Sequence, residues 1–261
     1  MNADSPLLNL SVAIIAGAEE HNIRACLDSV AGAGEIIVVC SHQGDATMSI
    51  AREFTEHVLF RPFDGYAAQK SFALAQCTQH WVLSLDADER VSEALLRDLR
   101  AVLERDGPHD GYFIPRRNHF HGRWLRHGGW YPDHQLRLFR REKTRLTDRL
   151  VHEGFEVAGS REYLRGHLLH YTLPHVRHML RKNLDYSMYE AREKRNRRRI
   201  GILDFLLRPP IEFTKKYVFK RGFLDGWEGF VVAVIHAANK MQMLLQLWEI
   251  QYRNVDAGDE Q

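Results

Sequence analysis

Trp81-Val82-Leu83-Ser84-Leu85-Asp86-Ala87-Asp88-Glu89-Arg90 is the stretch whose reading decides the fold. Its apolar run is too brief for a helix, and Val82 to Leu85 reads as a buried strand. Asp86 then stands at the C-terminal end of that strand, where open α/β sheets place their ligands. Carboxylates crowded at one strand end repel unless a cation neutralises them. Oxygen-only ligands suit Mg²⁺ or Mn²⁺, which binds through one or two carboxylates and otherwise keeps waters or substrate phosphates. The same residues are also compatible with a solvated acidic turn leading into the next helix.

Upstream, strands and helices alternate. Leu10 to Ala16 is apolar on both faces, as a strand covered by helices must be. Glu19 to Asn22 opens a helix carrying Ile23, Leu27 and Val30 on one stripe. Glu35 to Cys40 is a second strand, and Asp45 is placed to cap a helix running to Phe54. A third strand covers His57 to Phe60, and a helix covers Tyr66 to Cys77. Ser92 caps a further helix with Leu95, Leu99 and Val102 inward. Four strands alternating with helices predict an α/β fold with a doubly wound, mostly parallel sheet.

After Gly111 the pattern changes to strands at Gly111 to Arg117 and Gln135 to Arg141. Between them Asn118 to Pro132 is long for a connector and carries Trp124, Trp130 and Tyr131. These rings either stack on sugars or pin the loop to the core. From His175 onward the periodicity is helical, with a break predicted at Arg208-Pro209-Pro210. The expected division is a catalytic domain over 1–173 and a helical, basic, amphipathic extension over 174–261.

The chain has 261 residues, 44% hydrophobic and 27% charged, which suits one globular domain with an appendage. Three cysteines without close spacing give neither a disulfide framework nor a metal knuckle. Met1 to Leu10 lacks a basic start and an apolar core, so no signal peptide is expected, and no uncharged apolar run of spanning length is apparent. The net charge of +2 hides an asymmetry. His175 to Arg221 holds 14 Lys/Arg against 5 Asp/Glu, or +9, while the remainder holds 22 against 29, or −7. With Phe213, Tyr217, Phe219, Phe223, Trp227 and Phe230 interleaved, that segment predicts a helix in the plane of an anionic membrane surface, released by salt. A helix packed on the catalytic domain with a solvated basic face is the alternative. Nucleic acid is not expected, because no recognition motif accompanies the cations.

Taken in order, several short motifs resemble family 2 glycosyltransferases of the GT-A fold. They are Glu19 to Ile23, Glu35 to Val39 with Asp45 and Thr47, Gly65 with Gln69-Lys70, and Trp81 to Val91. Trp130 to Asp133, Gln135 to Arg141 and Val151-His152-Glu153 complete the series. Bacterial lipopolysaccharide inner-core glucosyltransferases are the subgroup most resembled, from about Leu10 to Trp248. Two positions depart from the family pattern: Ala18 stands where Asn is usual, and Cys40 where an Asp contacts the nucleoside.

The resemblance implies an inverting transfer of a sugar, glucose first, from a UDP-sugar donor to a lipid-linked glycan acceptor. It implies Mg²⁺ or Mn²⁺ held by Asp88, with Asp86 on ribose or metal and His152 as a further ligand. Glu20, Asp45 and Lys70 would bind the nucleotide-sugar, and Trp124, Trp130 and Tyr131 the acceptor. Glu153 is the implied catalytic base and Asp133 its alternative. The chain is then expected in the cytoplasm, peripheral on the inner face of a bacterial inner membrane. A nucleotidyltransferase would need an early cationic Gly-rich loop that Ile14 to Glu20 lacks. A phosphohydrolase would carry its carboxylates after the first strand, and a catalytically impaired membrane scaffold would not turn over a donor.

Overall fold

The central strand β1, Leu7–Ala16, alternates between two apolar layers, as successive residues of a strand must. Its Val12 and Ile14 pack with Ile23, Leu27, Leu95 and Leu99, while Ala13 packs with Val82, Phe139 and Ala73. The computed structural model describes residues 7–146, 154–173, 176–196 and 198–253. Within it, Ala33–Cys40 forms β2, Val58–Phe60 β3 and Trp81–Asp86 β4. The sheet order β3-β2-β1-β4 is parallel throughout, so the doubly wound half is as the alternating pattern predicts. Helices α1 (Ile23–Asp28) and α4 (Glu93–Glu104) supply one covering layer and α3 (Tyr66–Gln76) the other.

Beyond β4 the sheet turns antiparallel. Strand β8, Asp133–Arg140, pairs with β4 from Trp81↔Arg140 to Leu83↔Leu138, and β6, Gly111–Phe120, pairs with β8. A three-residue strand, β5 (Glu89–Val91), follows the acidic turn directly and pairs with β12 (Leu168–Leu173). The short strands β7 (Arg123–Trp124) and β11 (Arg161–Tyr163) lie against β6, and β9 (Thr144–Leu146) pairs with β10 (Phe155–Val157). Ser92 caps α4 by accepting from the Leu95 N–H. Asp45 does not cap a long helix: α2 is only Thr47–Ala51, and the Asp45 carboxylate instead binds the Thr47 N–H and hydroxyl. A side chain folded onto the residue two ahead makes a turn in place of a first helical turn.

The chain divides into two compact units, Met1–Arg117 with Asp133–Thr172, and Asn118–Pro132 with Leu173–Gln261. The aromatic loop therefore belongs with the C-terminal helices. There α5 (Val176–Lys194), α6 (Ile202–Thr214) and α7 (Gly226–Arg253) pack together, α6 and α5 each against α7. Gly229 meets Gly222 so closely that an added Cβ would lie 1.9 Å from the Gly222 carbonyl oxygen. Helix α6 runs straight through Pro209-Pro210, against the expected break. The two missing N–H groups cost about 3 kcal/mol apiece in a helix interior. Phe205, packed with Ile200, Met243, Leu244 and Leu247, helps to hold the preceding turn in place. Gly222–Arg253 is also long and apolar enough to cross a membrane by length and composition, which the sequence pattern did not suggest.

Candidate active site

Three carboxylates leave the end of β4, and the structure gives each a different fate. Glu89 is fully buried. Its Oε2 accepts the Asp86 N–H at 3.0 Å and its Oε1 accepts from Arg137 at 2.7 Å and Arg116 at 3.3 Å. Asp86 takes Arg137 on Oδ2 at 2.6 Å and has Lys70 beside Oδ1 at 3.2 Å. Against the penalty of burial, those two cations hold the Asp86 carboxyl well below the usual carboxylate range. Arg137 is pushed up in turn by Asp86 and Glu89, overcoming its own burial.

Arg137, Arg116 and Lys70 already compensate two of the three carboxylates, Asp86 and Glu89. Asp88 is the exception. Among the described residues its one ion-pair partner is His170, Nε2 to Oδ2 at 3.3 Å. Strand β12 brings this histidine in through the pairing His170↔Glu89, and Tyr171 donates its N–H to the Asp88 carbonyl. Arg90 lies over the Tyr171 ring at 4.0 Å, closing that side.

Across the strand ends, Glu19 faces the same cluster. Its carboxyl is raised first by burial, opposed by the hydrogen bond from Asn22, and raised again by Asp88, Asp45 and Asp86. Glu19 thus feels the strand-end charges. Glu20 lies further out and accepts the Ala46 N–H at 3.1 Å. Cys40 closes β2 fully buried, and burial pushes its thiol up to about 11. A carboxylate at that position would have to be buried as well.

Asp133 is held by Arg116 Nε and Nη2 on one oxygen, at 2.9 and 2.6 Å, and by Gln135 on the other at 2.7 Å. The remaining expected residues fall elsewhere. Glu153 and His152 lie outside the described residues. Trp130 packs with Phe120, Leu125, Met179, Val232 and Ile235 in the second unit. Trp124 has Tyr131 edge-on at 5.3 Å and the Arg126 guanidinium at 4.3 Å. The loop that carries them is fixed by Asp225, which accepts the N–H groups of Arg126 and His127 and pairs with His127 Nδ1.

Glu19, Asp45 and Asp88 leave negative charge at the strand ends that no lysine or arginine among the described residues takes up from Asp88. That pattern fits a divalent cation. No group of three or more His, Cys, Asp or Glu among the described residues could hold a metal alone.

The site is thus an acidic turn at the end of the fourth strand of an α/β sheet. The model for glycosyl transferase family 2 matches residues 11–167, and the chain belongs to this family. It is 31% identical over 258 residues to the lipopolysaccharide core biosynthesis glycosyltransferase LpsC of Rhizobium meliloti, covering 91% of this chain and 93% of that one. It is 26% identical to the uncharacterized glycosyltransferase RT0209 of Rickettsia typhi, over 96% and 91% of the two chains. A crystal structure of S. aureus TarS 1-349 in complex with UDP is similar with a TM-score of 0.46 and 16% identity, covering 94% and 91%. At that distance the likeness carries no chemistry. The chain is a glycosyltransferase.

Proposed function

We propose that this glycosyltransferase moves glucose from UDP-glucose, with inversion, onto a lipid-linked glycan of the lipopolysaccharide core. The observation that carries the reading is the unequal treatment of the strand-end carboxylates. Asp86 and Glu89 are neutralised from within the protein, and Asp88 is left beside His170. The similarity to LpsC over most of both chains supports the choice of acceptor.

Asp88, with His170 beside it and His152 as a further ligand, would hold Mg²⁺ or Mn²⁺, which as a Lewis acid stabilises charge on the leaving diphosphate. Asp86, fixed in its ionised form by Arg137, accepts a ribose hydroxyl. Asp45, Glu20 and Glu19 line the nucleoside side. Lys70 is placed to meet a phosphate oxygen. Glu153 takes the proton of the acceptor hydroxyl as it attacks C1 from the face opposite the diphosphate. Asp133, held by Arg116 and Gln135, is the alternative base. Trp124 and Tyr131 offer ring surface to the acceptor. The basic segment draws the chain to an anionic inner-membrane surface.

The test is a donor screen with purified protein, Mn²⁺ and a panel of UDP-, GDP- and dTDP-sugars, reading released nucleotide. UDP-glucose should be turned over, and Asp88→Ala should lower the rate by about 10³-fold, the scale of a lost electrostatic stabiliser. An Asp88→Ala protein whose UDP binding is still enhanced by Mn²⁺ in calorimetry overturns the metal assignment. Release of GDP or dTDP alone overturns the donor.

A further inference from the structure

Helix α6 is built inside out. Ile202, Leu203, Leu206, Leu207 and Ile211 are exposed at 75, 65, 61, 54 and 60%. At 3.6 residues per turn these positions form one stripe along the helix. The two carboxylates of the helix point the other way. Asp204 is buried and pairs with Arg198 and Arg208, each at 2.8 Å. Glu212 is largely covered and pairs with Lys215. A helix in water would normally reverse this arrangement. The apolar surface continues past the helix through Phe219 and Trp227, exposed at 78 and 71%.

The charges around the stripe narrow what covers it. Exposed Arg195, Arg198 and Arg199 precede it, and exposed Lys215, Lys220 and Arg221 follow it. Between residues 195 and 225 the carboxylates are Asp204, Glu212 and Asp225, and none is exposed. Over residues 195–225 the described surface therefore offers cations and hydrocarbon with no exposed acidic group among them. A second copy meeting it across a two-fold axis would set one cationic end of the stripe against the other. An anionic bilayer satisfies both components, with headgroups on the Lys and Arg and acyl chains on the leucines.

Helix α7 is a weaker candidate for the membrane element despite its composition. Its Lys240 pairs with Glu190 of α5 at 2.9 Å, and its Gln246 accepts from Ser187 of α5 at 2.7 Å. These bonds, with Met243, Leu244 and Leu247 buried, tie one face of α7 to the rest of its unit.

We infer that α6 lies in the plane of an anionic membrane with Ile202, Leu203, Leu206, Leu207 and Ile211 inserted at the acyl boundary. This deepens the membrane part of the proposed function and is independent of its donor chemistry. Cations bring the chain to the surface and insertion holds it there, so attachment survives salt that strips a purely electrostatic contact.

The experiment is flotation of the full chain with phosphatidylcholine vesicles, with and without phosphatidylglycerol, at low salt and at about 1 M salt, where the Debye length is near 3 Å. Wild-type protein bound to phosphatidylglycerol vesicles at low salt should remain bound at high salt. Joint replacement of Leu203, Leu206 and Leu207 by Gln should lower binding at least tenfold at both salts. Joint replacement of Lys215, Lys220 and Arg221 by Gln should lower binding only at low salt. The leucine variant should keep its far-ultraviolet circular dichroism and its UDP-sugar turnover with a soluble acceptor. Wild-type release by salt, or a leucine variant that floats like wild type, overturns the inference. So does a lipid-free dimer that the leucine substitutions dissociate, which assigns the stripe to a second copy. A leucine variant that still needs detergent for extraction assigns the membrane contact to α7. Loss of turnover with flotation intact would break only the donor reading.

Discussion

Helices α4 and α6 differ by one residue in length and are both amphipathic, yet they face opposite ways. Helix α4 buries Leu95, Leu99 and Val102 against the sheet and turns Glu93, Arg97 and Glu104 outward. Helix α6 buries Asp204 and Pro209 and leaves its leucines outside. The difference extends to the units that contain them. In the first, apolar groups are covered and charge is gathered at the strand ends, where Arg137 answers Asp86 and Glu89. In the second, the apolar side chains of α6 face out while its carboxylates are covered. An amphipathic pattern says that two environments are present; it does not say which of them is water.

The largest effect should come from Arg137→Met, which leaves Asp86 and Glu89 buried without their shared cation. Removing one partner of a buried pair costs about 3–5 kcal/mol, read as a lower urea midpoint at neutral pH. Asp86 is ionised in the wild type because its carboxyl is lowered, so that contribution is present above the ordinary carboxylate range and lost as pH falls below about 4. The gap between wild type and variant should therefore shrink in acid. A gap that stays constant down to pH 3 would mean the charge is not what the arginine stabilises.

Next comes a matched pair of substitutions on the two helices. Leu99→Ala should cost about 2–5 kcal/mol, the range for a truncated core leucine. Leu206→Gln, on the exposed stripe, should change stability by no more than about 0.5 kcal/mol in lipid-free solution. Equal losses at the two positions would show that α6 is covered in solution and would break the contrast between the helices.

A smaller, pH-dependent effect is expected at His236. Burial lowers its imidazole to about 4, assisted by Lys216, Lys220 and Lys215 and opposed by Glu212. The folded form then stays neutral where the unfolded chain, titrating near 6.5, binds a proton. Its contribution is present above about pH 6.5 and declines as pH falls toward 4, by at most about 3 kcal/mol. His236→Gln should remove that part of the acid slope, measured as the difference between urea midpoints of variant and wild type. Parallel slopes would place the imidazole in contact with water.

Much of the parallel sheet was legible because its cues are local. Leu10 to Ala16 and Glu35 to Cys40 are apolar on both faces, and Ser92 stands in the capping position before a periodic helix. The strand-end acids were legible for the same reason. His170 was not, since its approach to Asp88 depends on β12 pairing with β5 from about eighty positions away in the chain. Glu89 looked like a third member of the acidic group, and only the positions of Arg116 and Arg137 reveal it as an anchor. That Glu19 faces the strand-end acids depends on a loop conformation that neighbouring residues do not specify. At α6 the proline pair suggested an ending, whereas tertiary packing of Phe205 kept the helix going.

The pairing of Lys70 with Asp86 gives the active site an internal counterion. The acidic turn is partly compensated before any ligand arrives. On the proposed reading, a diphosphate offers Lys70 a more highly charged partner, and a flexible four-carbon stem on α3 lets it change partners while β4 stays still. Donor binding is then an exchange of ions within the protein. Fewer solution ions are taken up or released, and affinity should vary less with ionic strength than the charge of a nucleoside diphosphate would suggest.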